Sequence, residues 1–309
     1  MEAVHSEVDH TRTTLVSVAF ITLANVVFFI TFDVGTLVAQ ASSSFQIQTD
    51  YTILLAVFRT GCVLLAFYTI IFWMVRNPVP SRMFVTTHDT NESVMLRITG
   101  FERITTFSSW TLMMFGTAFF FAGIATWLEV FDRSTPLFLS SATVVLMPIA
   151  YGSAFLTATV VRYIIIPEEV QKERPFGDFF LNYELVMHNF TAIFLAVDLF
   201  LVQATLRWEF AVFPAFFGII YALFSYGYAR MKNGYYIYDF LDPRKKDAPL
   251  YAFLLLTACS VFYFGLWLVS LLLQWNMWVG GLVLALWVSR IVLFRRGVGD
   301  NPHAHQFRD

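Results

Sequence analysis

Residues 183–206 read YELVMHNFTAIFLAVDLFLVQATL, a stretch long enough to cross a bilayer that nevertheless carries ionisable side chains. His188 and Asp198 lie among its apolar residues, together with Asn189. An ionisable group at the centre of a spanning helix costs at least ~2.5 kcal/mol, so it usually faces a partner or a functional cavity. The stretch therefore predicts a membrane-spanning helix that carries either a structural polar pair or a functional site.

The composition of the whole chain indicates the same class of protein. Of its 309 residues, 58% are hydrophobic and 14% are charged, whereas a soluble domain has about 25% charged residues. Cys62 and Cys259 both fall in apolar runs, which indicates neither a disulfide framework nor a zinc site. We expect membrane lipids as partners, and no cofactor, metal ion or nucleic acid.

Eight apolar runs are long enough to be spans. They cover residues 14–39, 51–75, 105–130, 137–166, 183–206, 210–229, 250–273 and 277–294. The sequence thus predicts an all-α polytopic membrane protein, a bundle of about eight transmembrane helices forming one transmembrane domain over 1–309, with polar tails at 1–13 and 297–309. Only residues 274–276 separate the last two runs, so seven spans with one long bent helix are the alternative.

The distribution of basic residues predicts the orientation of the bundle. Of the 20 Lys and Arg residues, fifteen lie on the side of the membrane that holds the N-terminus. Two lie on the opposite side, and three lie within predicted spans. Cytoplasmic loops carry such an excess of positive charge. We therefore expect both termini to be cytoplasmic, which requires an even number of spans.

Two buried charges lie at similar predicted depths. Asp198 is eight residues before the outer end of its run and Arg59 is eight residues after the outer end of another, so each is ~12 Å deep. Opposite charges at one depth predict a buried ion pair. Asp33 is a competing partner for the same arginine.

A hydroxyl and an imidazole also share a predicted depth. Ser108 is five residues past Arg103 and His188 is four residues past Glu184, which places both ~6–8 Å above the inner boundary of the membrane. A serine hydroxyl and a histidine that meet in an apolar cavity are the minimum parts for nucleophilic ester hydrolysis. Packing of the hydroxyl against its own helix is the structural alternative.

A third member of a catalytic triad is missing from the sequence pattern. Asp198 lies ten residues from His188, ~15 Å along a helix axis, too far to orient the imidazole. On an ideal helix, Glu184 and Asn189 point away from it. We expect Trp110 close to the wall of the cavity.

Three stretches resemble a known family. They are HNFTAIFLAVD (188–198), FPAFFGIIYALFSYGYARMKNGYYIYDFLD (213–242) and FSSWT (107–111). Over about residues 104–242 the chain is similar to the androgen-induced membrane protein family and its rolling-stone relatives, although the family usually has Pro at the position of Asp239. The androgen-induced branch implies an intramembrane threonine hydrolase of fatty acid esters of hydroxy fatty acids. By position, its histidine is His188 and its nucleophile is Ser108, with Thr105 or Thr106 as alternatives if the register slips.

Three functions follow as alternatives. The first is a hydrolase of lipid esters that uses Ser108 and His188. The second is a non-enzymatic protein of the rolling-stone branch, which is associated with cell fusion. The pattern around Trp110 and the acidic Asp198 resemble this branch more closely than the androgen-induced branch. The third is a transporter that uses Arg59 and Asp198. The expected location is the endoplasmic reticulum or the plasma membrane.

Overall fold

The computed structural model describes residues 9–45, 51–90, 92–232 and 234–295, which form a helical bundle with one small β-sheet. The predicted tails fall outside these residues, apart from residues 9–13. The helices are α1 (Thr11–Thr31), α2 (Val34–Ser43), α3 (Thr52–Tyr68), α4 (Phe107–Val130), α5 (Leu137–Val160), α6 (Ile166–Gln171), α7 (Asn182–Leu185), α8 (Thr191–Val202), α9 (Val212–Ala229), α10 (Ala248–Trp275) and α11 (Met277–Ile291). The strands are β1 (Ser81–Thr87), β2 (Ser93–Ile98) and β3 (Tyr235–Tyr236).

Short segments of other helix types join or extend these elements. The π-helical segments are Thr69–Val75, Val161–Ile165 and Val186–Phe190. The 3₁₀ segments are Gly100–Thr105, Gly177–Phe180, Trp208–Ala211 and Asp239–Leu241. A π turn holds one residue more than an α turn and is frequent at functional sites.

Seven helical segments of the described chain are long and apolar enough to cross a membrane. They are Thr11–Thr31, Thr52–Val75, Phe107–Val130, Leu137–Gln171, Asn182–Val202, Trp208–Ala229 and Ala248–Trp275. They coincide with the first seven predicted spans. The prediction of an all-α polytopic membrane protein is therefore confirmed.

The eighth predicted span is a separate but shorter helix. The chain is extended at Asn276, whose side chain accepts hydrogen bonds from the backbone N–H groups of Trp278 and Val279 and so begins α11. The 15 residues of α11 rise about 22 Å, less than the ~30 Å of a hydrocarbon core. Gly280 permits the tight turn, since a Cβ there would lie 2.6 Å from the backbone nitrogen of Leu273. The two helices are thus not one bent helix, and the side on which the C-terminus lies stays a prediction.

The first predicted span is interrupted before its end. α1 stops at Thr31 and α2 starts at Val34, because Asp33 adopts a left-handed conformation with φ of 46°. A left-handed residue cannot continue a right-handed helix. The membrane-length part of the predicted run 14–39 is therefore Thr11–Thr31.

Small residues belong to the core at the central helices α4 and α5. Ala118 and Ala122 of α4 and Ala150 and Ala154 of α5 are fully buried in one cluster. Without a hydrophobic force between helices in lipid, close packing of small side chains stabilises the contact. These helices form the centre of the bundle, against which α3 and α8 pack.

The β-sheet lies at one end of the bundle, which we call the sheet end. Its strand order is β2-β1-β3, and both pairs are antiparallel. Ser81 pairs with Ile98 at one end of the β1–β2 ladder, and Thr86 of β1 pairs with Tyr236 of β3. Sequence analysis did not predict this sheet. Its role in the fold is to draw the connection between α9 and α10 toward the start of α4.

Candidate functional site

Ser108 is the second residue of α4 and lies at the sheet end of the bundle. Thr106 caps this helix, since its hydroxyl accepts a hydrogen bond from the backbone N–H of Ser109 at 3.2 Å. The Thr105 hydroxyl donates to the carbonyl of Glu102. These local bonds engage the two threonines with the backbone, which leaves Ser108 as the hydroxyl that faces the imidazole.

His188 lies within the π-helical segment between α7 and α8, and its side chain is buried. Its Nε2 atom is 3.1 Å from Oγ of Ser108, although 80 residues separate the two along the chain. A distance of ~3 Å is the hydrogen-bonding separation that proton transfer requires. The structure therefore brings the two predicted site residues together.

The surroundings of the imidazole differ from those in a Ser-His-Asp triad. Oε2 of Glu184 lies 3.4 Å from Nε2, the same ring nitrogen that faces Ser108. Within the described residues, Nδ1 of His188 has no hydrogen-bond partner. In a triad the carboxylate binds Nδ1 and the serine faces Nε2. The expectation that Glu184 points away from His188 is wrong. Asn189 does point away, because its side chain binds the backbone of Leu293.

Ser108 lies where two cavities meet. The first, which we call the polar cavity because charged side chains are among those that line it, has a volume of about 140 Å³, and these side chains include Arg103, Asp178, Glu184 and His188. The second has a volume of about 70 Å³ and runs between α5, α9 and α10. Apolar side chains line the second cavity almost completely, among them those of Leu156, Val160, Ala222, Leu255 and Leu256. A polar group and an apolar chain of one molecule can thus reach Ser108 from different sides.

Charged side chains that line the polar cavity form hydrogen bonds and ion pairs with neighbouring groups. Arg103 is 3% exposed and donates to backbone carbonyls, including that of Met74 at 2.8 Å, and to the Ser81 hydroxyl. Arg82 forms an ion pair with Asp178 at 3.3 Å. These contacts connect β1 and the start of the fifth span to the site, so they fix the walls of the cavity.

Tyr238 belongs to the walls of both cavities. Its phenol lies beside the Ser108 side chain and the backbone of Phe107 and Ser108, whose nearby donors favour the ionised phenolate. Burial raises the pKa of Tyr238 to about 12, although these contacts act in the opposite direction. The phenol is therefore protonated at neutral pH. Sequence analysis assigned it no role, because nothing in the pattern indicates which loop reaches Ser108.

Trp110 lies close to the wall of the apolar cavity, as expected, without lining the cavity itself. Its ring packs against those of Phe217, Tyr221 and Phe224, with the ring centroids of Trp110 and Phe224 4.8 Å apart. Of these neighbours, Tyr221 lines the apolar cavity. Trp110 therefore supports the wall from behind instead of forming it.

The predicted ion pair between Arg59 and Asp198 is present, and Asp33 is not part of it. Nε and Nη2 of Arg59 donate to the two carboxylate oxygens of Asp198 at 2.7 and 3.0 Å. Nη1 donates to the hydroxyl of Thr126 at 2.8 Å and to the carbonyl of Ala122. The pair lines a cavity of about 1120 Å³ at the end of the bundle opposite the sheet. It does not line either cavity at Ser108.

Comparisons with known proteins identified no relative of this chain. Neither the models of protein families, nor the curated proteins, nor the solved structures include a match to this chain. The resemblance described from the sequence therefore stays a prediction. Among the described residues, no group of three or more His, Cys, Asp and Glu side chains is arranged to hold a metal ion.

Proposed function

We propose that this membrane protein hydrolyses lipid esters, with Ser108 as the nucleophile and His188 as the general base. The observation that carries the proposal is the 3.1 Å separation between Oγ of Ser108 and Nε2 of His188 at the meeting point of the two cavities. The resemblance to the androgen-induced family supports the same two residues. An ester of a hydroxy fatty acid is the substrate class that this resemblance implies.

The reaction proceeds by acyl transfer to the serine. Oγ of Ser108 attacks the ester carbonyl carbon while Nε2 of His188 takes the hydroxyl proton, and the carbonyl electron pair moves onto its oxygen. The tetrahedral species collapses, the alcohol leaves with the proton from His188, and an acyl-serine remains. His188 then takes a proton from water as the water oxygen attacks the acyl carbon, and gives that proton to Oγ of Ser108 as the bond between the acyl carbon and Oγ breaks. The products are a carboxylic acid, an alcohol and the free serine.

The apolar cavity supports a lipid substrate. Its walls lie between spanning helices, so an acyl chain placed there leaves the ester carbonyl at Ser108 and the rest of the molecule in the polar cavity. Burial of an acyl chain contributes ≈ 0.8 kcal/mol per CH₂ group. A soluble, fully polar ester gains nothing from this cavity. We therefore expect activity to rise with the length of the acyl chain.

The contacts of Arg59 favour hydrolysis over transport. Its guanidinium already donates to Asp198, Thr126 and the carbonyl of Ala122. A group that binds and releases cargo must exchange such partners. The network around Arg59 is instead that of a structural pair.

The test is an assay of the purified protein in lipid nanodiscs against an ester of a hydroxy fatty acid, a triacylglycerol and phosphatidylcholine. We expect cleavage of at least the first, and a loss of at least ~100-fold in Ser108→Ala and in His188→Ala. A fluorophosphonate probe should label the wild type and not Ser108→Ala.

Ser225→Ala is the matched control, because the hydroxyl of Ser225 is buried without a hydrogen-bond partner among the described residues and lies outside both cavities. Its removal should leave folding and turnover unchanged. If Ser108→Ala cleaved the ester at the wild-type rate, Ser108 would not be the nucleophile and the proposal would fail.

A further inference from the structure

Ester hydrolysis at Ser108, the proposed function on which this inference rests, requires a donor for the carbonyl oxygen. That oxygen gains a negative charge as Ser108 attacks, and in an apolar cavity this charge is costly unless hydrogen-bond donors face it. Hydrolases commonly use the backbone N–H of the nucleophile together with a second donor. Any such donors must lie among the groups that surround Oγ of Ser108.

The start of α4 supplies backbone donors next to the nucleophile. The first N–H groups of a helix have no partner within the helix. Thr106 caps the N–H of Ser109, whereas the backbone of Phe107 and Ser108 lies beside the phenol of Tyr238 in the wall of the apolar cavity. The phenol thus lies near the helix end that stabilises negative charge.

The fold holds Tyr238 rigidly in this position. Just before it, β3 pairs with β1, where Tyr236 faces Thr86. Just after it, the carboxylate of Asp239 accepts a hydrogen bond of 2.6 Å from the Thr86 hydroxyl. The ring of Tyr238 also stacks on Phe240, with centroids 5.2 Å apart and an angle of 13° between the planes. A donor held this firmly reorganises little when charge develops.

We propose that Tyr238 is a catalytic residue whose phenol donates its hydrogen bond to the carbonyl oxygen of the bound ester as Ser108 attacks. In the free site, the Ser108 hydroxyl donates to Nε2 of His188, and Tyr238 lies in the walls of both cavities beside Ser108. When an ester binds, the phenol donates to its carbonyl oxygen, and the nearby N-terminal end of α4 favours the negative charge that develops there. No proton leaves Tyr238, so the proton balance of acyl transfer is unchanged.

The phenol suits this role because it stays neutral at the pH of the reaction. Burial holds the pKa of Tyr238 at about 12, so the O–H group remains a donor at neutral pH. A phenolate would repel the developing oxyanion. The apolar wall formed by its ring is retained when the hydroxyl alone is removed, which makes Tyr238→Phe a clean substitution.

The experiment compares Tyr238→Phe with the wild type in the same nanodisc assay. We expect kcat to fall by about 10²–10³-fold, the usual effect of losing one oxyanion donor, with KM within about threefold of the wild type. Tyr228→Phe is the matched control, since the phenol of Tyr228 hydrogen-bonds to that of Tyr235 and lies outside both cavities. It should keep full activity.

Inhibitor binding separates catalysis from a structural role. A trifluoromethyl ketone that carries the acyl chain forms a tetrahedral adduct with Ser108, whereas the ether analogue of the substrate has no carbonyl oxygen. In Tyr238→Phe the ketone should bind about 10²-fold more weakly and the ether with unchanged affinity, because transition-state donors do not contribute to ether binding. An equal loss for both ligands would assign Tyr238 a structural role and overturn the proposal.

The remaining outcomes distinguish the two proposals. If the wild type cleaves the ester and Tyr238→Phe retains its kcat, Tyr238 is not a donor and the hydrolase function stands. If the wild type cleaves none of the esters and the fluorophosphonate probe leaves Ser108 unlabelled, the hydrolase function fails and the role of Tyr238 fails with it.

Discussion

The carboxylate of Glu184 lies 3.4 Å from Nε2 of His188, the ring nitrogen that also faces Ser108. In the proposed reaction, the proton that His188 takes from the serine therefore arrives next to a carboxyl oxygen of Glu184. Glu184 would then stabilise the imidazolium at the nitrogen that carries the transferred proton. A triad aspartate does so from the far side of the ring.

Glu184→Gln should consequently slow ester cleavage. The amide has a similar shape but no charge, so the imidazolium loses its stabilising partner. We expect kcat to fall about tenfold, which corresponds to ~1.4 kcal/mol. Steady-state kinetics of the purified variant is the measurement, with Ser225→Ala as the control. An unchanged kcat would show that the carboxylate takes no part in proton transfer.

The amide of Asn189 fixes the end of α11. Its Nδ2 donates to the carbonyl of Leu293 at 2.8 Å, and its Oδ1 accepts from the N–H of the same residue at 3.0 Å. Asn189→Ala leaves both backbone groups without a partner, at a cost of about 1–3 kcal/mol each if they stay buried. We expect a lower midpoint of unfolding in mixed detergent micelles. Asn25→Ala is the control, since Asn25 binds only a carbonyl of its own helix; equal stability losses in the two variants would contradict the prediction.

The pair of Arg59 and Asp198 should behave as one unit. Arg59→Met or Asp198→Leu alone leaves a buried charge without its counter-ion, which costs about 3–5 kcal/mol. The double variant removes both charges, so its loss of stability should be smaller than the sum of the single losses. Unfolding of the three variants in mixed micelles measures this coupling. Additive losses would show that the two side chains act independently.

Acid should weaken the attachment of the loop that carries Tyr238. Burial raises the pKa of Asp239, but hydrogen bonds from Lys245 and Thr86 outweigh this and hold the pKa below its ordinary value. A carboxyl whose pKa is lowered by folding stabilises the fold above its unfolded pKa. This contribution to stability is lost as the pH falls through the lowered pKa of the folded protein. Between neutral pH and about pH 3, thermal stability should therefore fall less in Asp239→Asn than in the wild type. Asp89→Asn, which replaces an exposed carboxyl, should behave as the wild type does.

The orientation of the bundle gives a further prediction. If the excess of basic residues marks the cytoplasmic side, accessibility tags at residues 5 and 305 should both react from the cytoplasm. A tag in the connection 131–136, between α4 and α5, should react from the opposite side. A tag at residue 305 that is accessible only from outside would require an odd number of spans, and α11 would then not cross the membrane.

The main helices and the principal pair of the site could be predicted from the sequence. A span needs ~20 apolar residues, and seven of the predicted runs are such helices. Ser108 and His188 could be matched because the rise along two helices gives a depth for each, and the two depths agree. The same argument predicted the contact between Arg59 and Asp198.

The β-sheet and Tyr238 could not be predicted in this way. The strands are short, and charged residues surround them, so they resemble loops in a hydropathy pattern. The position of Tyr238 depends on the pairing of Thr86 with Tyr236, two residues that are far apart in sequence. The contact of Glu184 with His188 was missed although residues four apart are neighbours on one face of a helix, so the sequence did contain the signal for it.

The π-helical segment Val186–Phe190 makes the site sensitive to where the chain is shortened as well as to the identity of its residues. Deletion of one residue within Val186–Phe190 would remove the extra residue of the π turn and leave the flanking parts of the span in register. Deletion of one residue from the regular helix between Thr191 and Asp198 would instead rotate Asp198 by about 100° relative to Glu184. Glu184 and Asp198 would then no longer face their partners together, although every side chain of the site would still be present.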